Sequence, residues 1–316
     1  MTAQALWCIS PDRAEIRPAA MGYGVALETL YSGISRGTER VVSKGQVPAS
    51  EHERMRGAGM EGTFPFPVKY GYCNVGRIME GQLEGRYAFA LFPHQTLYRL
   101  PYASLALLPE ALPPERAVLA ANMETALNIL WDSGAGAGDR IAVIGAGVVG
   151  ALVAKLAAGM PGADVTLVDI NPARSQLATS LGLQFAAPLD PPQECDVVIH
   201  TSASEAGLEL AISIAGLGAT VIEASWYGDK PVAVPLGGPF HSRRLRLISS
   251  QVGHVPADRL PRWTYARRMA KALDLLCEPV LDVLISGESD FVDVPEIYAD
   301  ILAAPETLCH RIRYRR

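Results

Sequence analysis

No two of the five cysteines are spaced as a CxxC pair, and their number is odd. That pattern excludes a disulfide framework and a cysteine-rich zinc lobe. Also missing is a basic stretch followed by an apolar core at the N-terminus, so "MTAQALWCISPDRAEIRP" does not read as a signal peptide. The longest apolar run, 141–154, is broken by glycines and stops at Lys155, too short to span a bilayer. Basic charge is not in excess either. Lys and Arg number 28 against 33 Asp and Glu, for a net charge of -5. Bulk attraction to nucleic acid or to an anionic membrane is therefore not expected. There is no internal repeat and no low-complexity tract. What remains is an ordinary globular composition, 49% hydrophobic and 19% charged, over 316 residues. That length suggests two domains. The expectation is a cytoplasmic protein that acts on a small molecule.

The first 110 or so residues read as short strands and turns. "GVALETLYSGISRGTE", "YGYCNVGRIMEG" and "GRYAFALFPHQTLYRLP" alternate in part and end in Gly or Pro. After "LPPERAVLA" the character changes. Apolar positions over 114–131 fall at helical spacing, and "DSGAGAG" ends that helix. Strands and helices then alternate: Arg140–Ile144 as strand, Val148–Ala158 as helix, "DVTLVD" as strand and 172–181 as helix. "CDVVIHTS", "GATVIEAS" and "LRLISSQ" are further strands. The alternation implies an α/β fold, a doubly wound parallel sheet. The tail "DVLISGESDFVDVPEIYADIL" and "LCHRIRYRR" reads as strand, helix, strand outside that rhythm, and is expected to return to the first domain. Residues 1–116 with 284–316 then make a mostly-β domain, and 117–283 a dinucleotide-binding domain.

Gly145, Gly147 and Gly150 form G-x-G-x-x-G between a strand and a helix. The first permits a tight turn, the second lets backbone approach a pyrophosphate, and the third lets helix pack on strand. Val148 and Val149 then head a helix whose free N–H groups suit phosphate. Asp169 ends the next strand, 19 residues beyond Gly150, where a carboxylate meets the adenosine ribose. With Ile170 it marks the adenosine end. Asp169 repels a 2′-phosphate and favours NAD(H) over NADP(H). Arg174 pulls the other way, since it could flank that phosphate.

On "YSGISRGTE", "KYGYCNVGRI", "AANMETALNIL", "IAVIGAGVVG", "LVDINPARSQLATSLG" and "FHSRRLRLISSQVG" the chain resembles the medium-chain dehydrogenase/reductase family, the zinc-type alcohol dehydrogenases and their zinc-free relatives. "SGIS-x-GTE" is also locally similar to bacteriochlorophyllide hydroxyethyl dehydrogenases, which carries no substrate with it. The resemblance implies a GroES-like β domain closed by the C-terminus, a Rossmann domain, an active site in the cleft between them, and a homodimer or homotetramer, of which we expect the homodimer. It also exposes a departure. Where the family places zinc ligands this chain has Ser35 or Arg36, Tyr72 with Cys73, and Ala121. None makes a zinc set, and Cys73, Glu124, Glu39 and His94 match no ligand spacing. No zinc is expected.

Without metal, a hydroxyl or a cation must stabilise the reacting oxygen. Tyr72 stands at the ligand-histidine position and is either that group or a packing aromatic. By resemblance Arg36 grips the pyrophosphate, unless it is a surface charge. Glu39 is an acid behind the ligand positions or an exposed turn residue. Glu124 is either a proton shuttle beside the cofactor or the partner of an arginine. Thr125 lies against the nicotinamide by resemblance, and Thr201, Ser202, Ser225, Trp226, Tyr227, Ser250 and Gln251 line the cofactor groove. The reading is a zinc-independent, NAD(H)-dependent oxidoreductase interconverting an alcohol and a carbonyl. An NADPH-dependent reductase of activated C=C bonds and a non-catalytic NAD(H)-binding protein are the alternatives.

Overall fold

A computed structural model describes residues 2–315. The chain folds as two compact units, Met1–Ala121 with Met269–Arg316, and Asn122–Arg268. The divisions fall inside two helices, at 121/122 and 268/269, beside expected boundaries at 116/117 and 283/284.

The first unit is mostly β. It contains β1 (Gln4–Ser10), β2 (Arg13–Pro18), β3 (Val25–Ser35), β4 (Glu61–Gly62), β5 (Val68–Lys69), β6 (Asn74–Ile78), β7 (Tyr87–Ala90), β8 (Leu97–Leu100) and β9 (Ala106–Leu107), with α1 (Arg36–Ser43) after β3. One sheet runs β2-β1-β5-β4. β3 alternates buried and half-buried residues over its first half and is fully buried from Ser32 to Ile34, the mark of a strand covered on both faces there. It is central to a second sheet. Leu27, Ile78, Ala88 and Tyr98 pack under that sheet, with Phe92 stacked on Tyr98 at 4.2 Å.

Two helices contribute to both units: α2 (Ala120–Ser133) and, beyond the next six strands, α6 (Tyr265–Leu275). Between them lie β10 (Arg140–Ile144), α3 (Val148–Ala158), β11 (Asp164–Val168), α4 (Arg174–Leu181), β12 (Gln184–Ala186), β13 (Cys195–His200), α5 (Glu205–Ile214), β14 (Ala215–Glu223) and β15 (Arg246–Ser249). All six strands are parallel, in the order β12-β11-β10-β13-β14-β15. The order reverses between β10 and β13. In an open α/β sheet that switch point, at the carboxyl ends of the strands, is where ligands bind. Ala142, Val198, Leu208 and Ile212 bury α5 against β10 and β13.

The tail does rejoin the first unit. β16 (Ile285–Asp290) and β17 (Cys309–Arg313) pair in parallel, α7 (Val294–Ala303) connects them, and β17 runs antiparallel to β3 from Cys309↔Ser35 to Arg313↔Tyr31. The second sheet thus reads β16-β17-β3-β6-β7-β9, with β8 on β3. Among the described residues no helix is long and apolar enough to cross a membrane.

Candidate nucleotide and polar sites

The three glycines of the β10–α3 turn do three different jobs. Gly145 has φ of +107°, and a Cβ there would lie 2.9 Å from the Ser202 nitrogen. A Cβ at Gly150 would lie 1.9 Å from the Gly145 carbonyl oxygen and 2.6 Å from Thr201 Oγ1. Only glycine lets α3 come this close to its own strand. Thr201 completes the turn by donating its hydroxyl to the Ile144 and Gly145 carbonyls, at 3.1 and 3.0 Å. Gly147 differs from both. It is exposed, its backbone is extended, and nothing stands within 4 Å of its Cβ position. It caps α3 without a side-chain bond, so the first N–H groups of that helix, at Val148 and Val149, have no side-chain acceptor from the cap. These residues fit a nucleotide pyrophosphate.

Asp169 follows β11 and is tied to the same turn. Its Oδ2 accepts the Ala146 N–H at 2.7 Å and Oδ1 accepts that of Asn171 at 2.8 Å. Both bonds hold the carboxylate in one orientation beside the glycine loop. Ile170 next to it is 87% exposed, an apolar surface without a core partner. Arg174 opens α4 and is buried, so it is not a free solvent cation.

At the ends of β13 and β14 the sequence-level list was incomplete. His200 and Glu223 are register partners in the sheet. His200 Nδ1 lies 2.7 Å from Glu223 Oε2, and its Nε2 lies 2.6 Å from Ser202 Oγ. Glu223 also accepts the Ser225 N–H at 2.7 Å and the Tyr227 hydroxyl at 3.0 Å. Tyr227 therefore turns its phenol into this cluster. Trp226 is half-buried beside it. Burial works to raise the Glu223 carboxyl, but the bonds from His200 and Ser225 outweigh it and the group sits below its usual value. Ser250 instead donates to Asp132 at 2.6 Å, and the exposed Gln251 accepts the Gly253 N–H.

Thr125 is half-buried on α2. Its neighbour Glu124 is buried and paired with Arg268 at 3.0 Å. Arg268 also donates to Asn128 and to the Val252 carbonyl. Of the two readings of Glu124, the structure displays the ion pair. Desolvation raises its carboxyl, and Arg268 only partly opposes this.

In the first unit the ligand-equivalent positions do come together. The Tyr72 phenol bonds the Ser35 and Thr38 side chains, and Cys73 meets the Ala121 backbone. The set so assembled is a hydroxyl, a phenol, a buried thiol and a methyl group. Burial pushes the Cys73 thiol well above its usual value, against formation of a metal-binding thiolate. Among the described residues no group of three or more His, Cys, Asp or Glu side chains gathers as a metal site. The donor set does not fit catalytic zinc. Behind it, Glu39 is not an exposed turn residue but fully buried. It accepts the Ser35 N–H at 2.7 Å, His94 Nε2 at 3.0 Å and the Tyr298 hydroxyl at 2.8 Å. Arg36 donates its Nε to the Leu302 carbonyl at 3.1 Å. One further cavity, of about 460 Å3, opens at the opposite end of the parallel sheet between Asp139, Asp196 and Arg246, away from the glycine loop.

Comparison with known proteins agrees with this geometry. Residues 133–222 match the alanine dehydrogenase/PNT C-terminal domain, a stretch that includes the glycine turn, Asp169 and His200. An uncharacterized zinc-type alcohol dehydrogenase-like protein of Haemophilus influenzae is 28% identical over 218 residues, covering 67% of this chain and 62% of that protein. The (R,R)-butanediol dehydrogenase of Bacillus subtilis is 32% identical over 111 residues, covering 35% of this chain and 31% of that protein. Two solved structures share the fold of this chain over nearly its full length. L-idonate 5-dehydrogenase of Escherichia coli has a TM-score of 0.79 at 12% identity, covering 99% of this chain and 98% of that one. The 2R,3R-butanediol dehydrogenase of Bacillus subtilis has a TM-score of 0.77 at 16% identity, covering 99% of both. The Haemophilus relative is matched over less than two thirds of its length.

Proposed function

We propose that this chain is a medium-chain dehydrogenase, an NAD(H)-dependent oxidoreductase that interconverts an alcohol and a carbonyl without catalytic metal. The observation that carries it is the pairing of the open Gly147 cradle with Asp169, whose carboxylate is fixed by the Ala146 and Asn171 N–H groups. An anion fits the first feature. A ribose diol fits the second, and a 2′-phosphate is repelled by it. When bound, a nicotinamide nucleotide supplies the ring that accepts or gives hydride.

The chain's own part is to hold the nucleotide and to manage the oxygen's proton. Val148 and Val149 offer N–H groups to phosphate, and Ile170 offers an apolar face to the flat base. Tyr72 offers the proton. Its phenol is pushed well above its usual value by burial, so at neutral pH it is a donor and not a base. Ser35 and Thr38 fix its direction. A phenol donor aimed at a carbonyl oxygen supplies the electrostatic help a metal would otherwise give.

Calorimetric titration with NADH and with NADPH, on protein assayed for metal in the same tube, tests this reading. Tighter NADH with far less than one zinc per chain is the expected result. NADPH binding tighter would mean that Arg174 outweighs Asp169 and would move the assignment to a C=C reductase. Near-stoichiometric zinc would overturn the metal-free part. Sedimentation of the same sample tests the expected homodimer.

A further inference from the structure

A chain of hydrogen bonds at the carboxyl ends of β13 and β14 runs in one direction. Glu223 is its acceptor end. With a carboxylate at 2.7 Å, a neutral His200 must carry its proton on Nδ1 and leave Nε2 as a lone pair. The Ser202 hydroxyl, 2.6 Å from Nε2, is then the donor. Ser204, 2.8 Å away, donates to Ser202 and in turn accepts the Gly207 N–H at 3.1 Å. The hydroxyls of Tyr227 and Ser225 lie 3.4 and 3.5 Å from Nδ1, too far to compete with Glu223. The result is a serine hydroxyl on an imidazole base that is itself oriented by a carboxylate.

Three other features agree with use of that serine. Ser202 is exposed, whereas His200 is fully buried. The next residue, Ala203, has φ of +51°, a left-handed conformation that a residue with a Cβ adopts at a cost. This strained turn joins strand to helix and is pinned by the bond from Ala203 N–H to Ser225 Oγ at 3.0 Å. Finally, a Cβ at Gly207 would lie 2.3 Å from Ser202 Oγ and 2.6 Å from His200 Nε2, so glycine is what leaves room for the pair. Glu205 and Ala206 head the ten-residue α5 and, as first-turn residues, have N–H groups without intrahelical acceptors, next to Ser202.

We propose that Ser202, His200 and Glu223 form a hydrolytic triad that cleaves small carboxylic esters. Ser202 Oγ adds to the ester carbonyl while its proton passes to His200 Nε2, and the imidazolium is held by Glu223. The first-turn N–H groups of α5 receive the oxyanion. Collapse breaks the C–O bond to the leaving alkoxide, which takes the proton from Nε2. Water, deprotonated by the same nitrogen, then releases the carboxylic acid and restores Ser202. The activity needs no nucleotide, but it uses strand ends beside the switch point, so NADH competes with it.

The test uses nucleotide-free full-length protein, a fluorophosphonate probe and p-nitrophenyl acetate. The expected result is a phosphonate adduct on the peptide that bears Ser202, suppressed by saturating NADH. Ester hydrolysis falls at least about 100-fold in Ser202→Ala, which removes one exposed oxygen. No adduct, an adduct on another residue, or unchanged hydrolysis in Ser202→Ala overturns the triad. A second variant separates reactivity from structure. Ser202→Cys is alkylated by iodoacetamide at least about tenfold faster than Ser202→Cys/His200→Gln. Equal rates also overturn it.

Discussion

Two one-methyl changes in the same loop separate stability from binding, and the structure supplies the reason. In Gly150→Ala the new Cβ lies 1.9 Å from the Gly145 carbonyl oxygen, where ordinary contact begins at 3.4 Å. The obstacle is backbone, so either α3 or the turn must move. Overpacking of this kind costs about 1–3 kcal/mol, and about 2–4 °C in Tm per kcal/mol for a unit of this size. In Gly147→Ala the Cβ meets nothing within 4 Å and the backbone is already extended. The fold loses only a favoured helix cap, less than about 1 kcal/mol. Yet that methyl occupies the space where a phosphate must approach the N–H groups of α3. Losing one hydrogen bond to a charged acceptor costs about 1.5–3 kcal/mol, or about 10- to 150-fold in Kd. Differential scanning fluorimetry and calorimetry with NADH read the two effects separately. Gly150→Ala should lower both Tm and affinity, and Gly147→Ala should lower affinity at nearly constant Tm. If Gly147→Ala binds NADH as tightly as the wild type, the loop does not cradle the pyrophosphate and the reasoning fails.

Three further expectations follow the same geometry. Tyr72→Phe removes the proposed proton donor while keeping the ring, so kcat on any alcohol found with NAD should fall about 100-fold or more with Tm little changed. Arg268→Leu strands the buried Glu124, at about 3–5 kcal/mol near neutral pH by urea unfolding. That loss should shrink as pH falls, because the raised Glu124 carboxyl protonates sooner than an ordinary one and the uncompensated charge disappears. Glu223, in contrast, sits below the ordinary carboxylate value of 4.5, held there by His200 and Ser225. Its ionised form is favoured by folding, so its contribution is complete above 4.5 and is lost as pH falls through the lowered folded value. Unfolding midpoints across that acid range should therefore slope more steeply in the wild type than in Glu223→Gln, and equal slopes would refute the assignment.

Where apolar runs are long and punctuated by glycine, the sequence locates structure to the residue. β10 at Arg140–Ile144 and α3 at Val148–Ala158 begin and end where the pattern places them. α4 starts at Arg174 and not at 172, because Asn171 Oδ1 accepts the Ala173 N–H and spends two residues on a turn. The three-residue β12 is too short to show a period. The larger omission is chemical. His200 closes the strand "CDVVIH" and Glu223 closes "GLGATVIE", and each alone reads as the polar end of an apolar strand. They become a dyad only through the parallel register that sets His200 opposite Glu223, and neither strand encodes that register by itself. Glu39 is illegible for the same reason. Its partners His94 and Tyr298 come from a loop after β7 and from α7, on distant parts of the chain.

Register and burial also distinguish the candidate groups of the proposed reaction. Glu39 is saturated: a backbone N–H, an imidazole and a phenol take its two oxygens, and no water reaches it. Glu124 is bound to a buried guanidinium that is itself held by Asn128 and Val252. To act as a proton carrier either acid would first have to break a buried charge-assisted bond, at a cost of about 1.5–3 kcal/mol before any chemistry. Tyr72 is bonded to neutral hydroxyls, so no buried ion pair has to break for it to turn to another acceptor. Its partners are the hydroxyls of Ser35 and Thr38, which both donate and accept, while burial keeps the phenol protonated. Tyr72 is also half-buried, whereas Glu39 is fully buried and Glu124 nearly so. Both acids thus hold geometry in the structure, which favours the phenol as the proposed donor to the substrate oxygen.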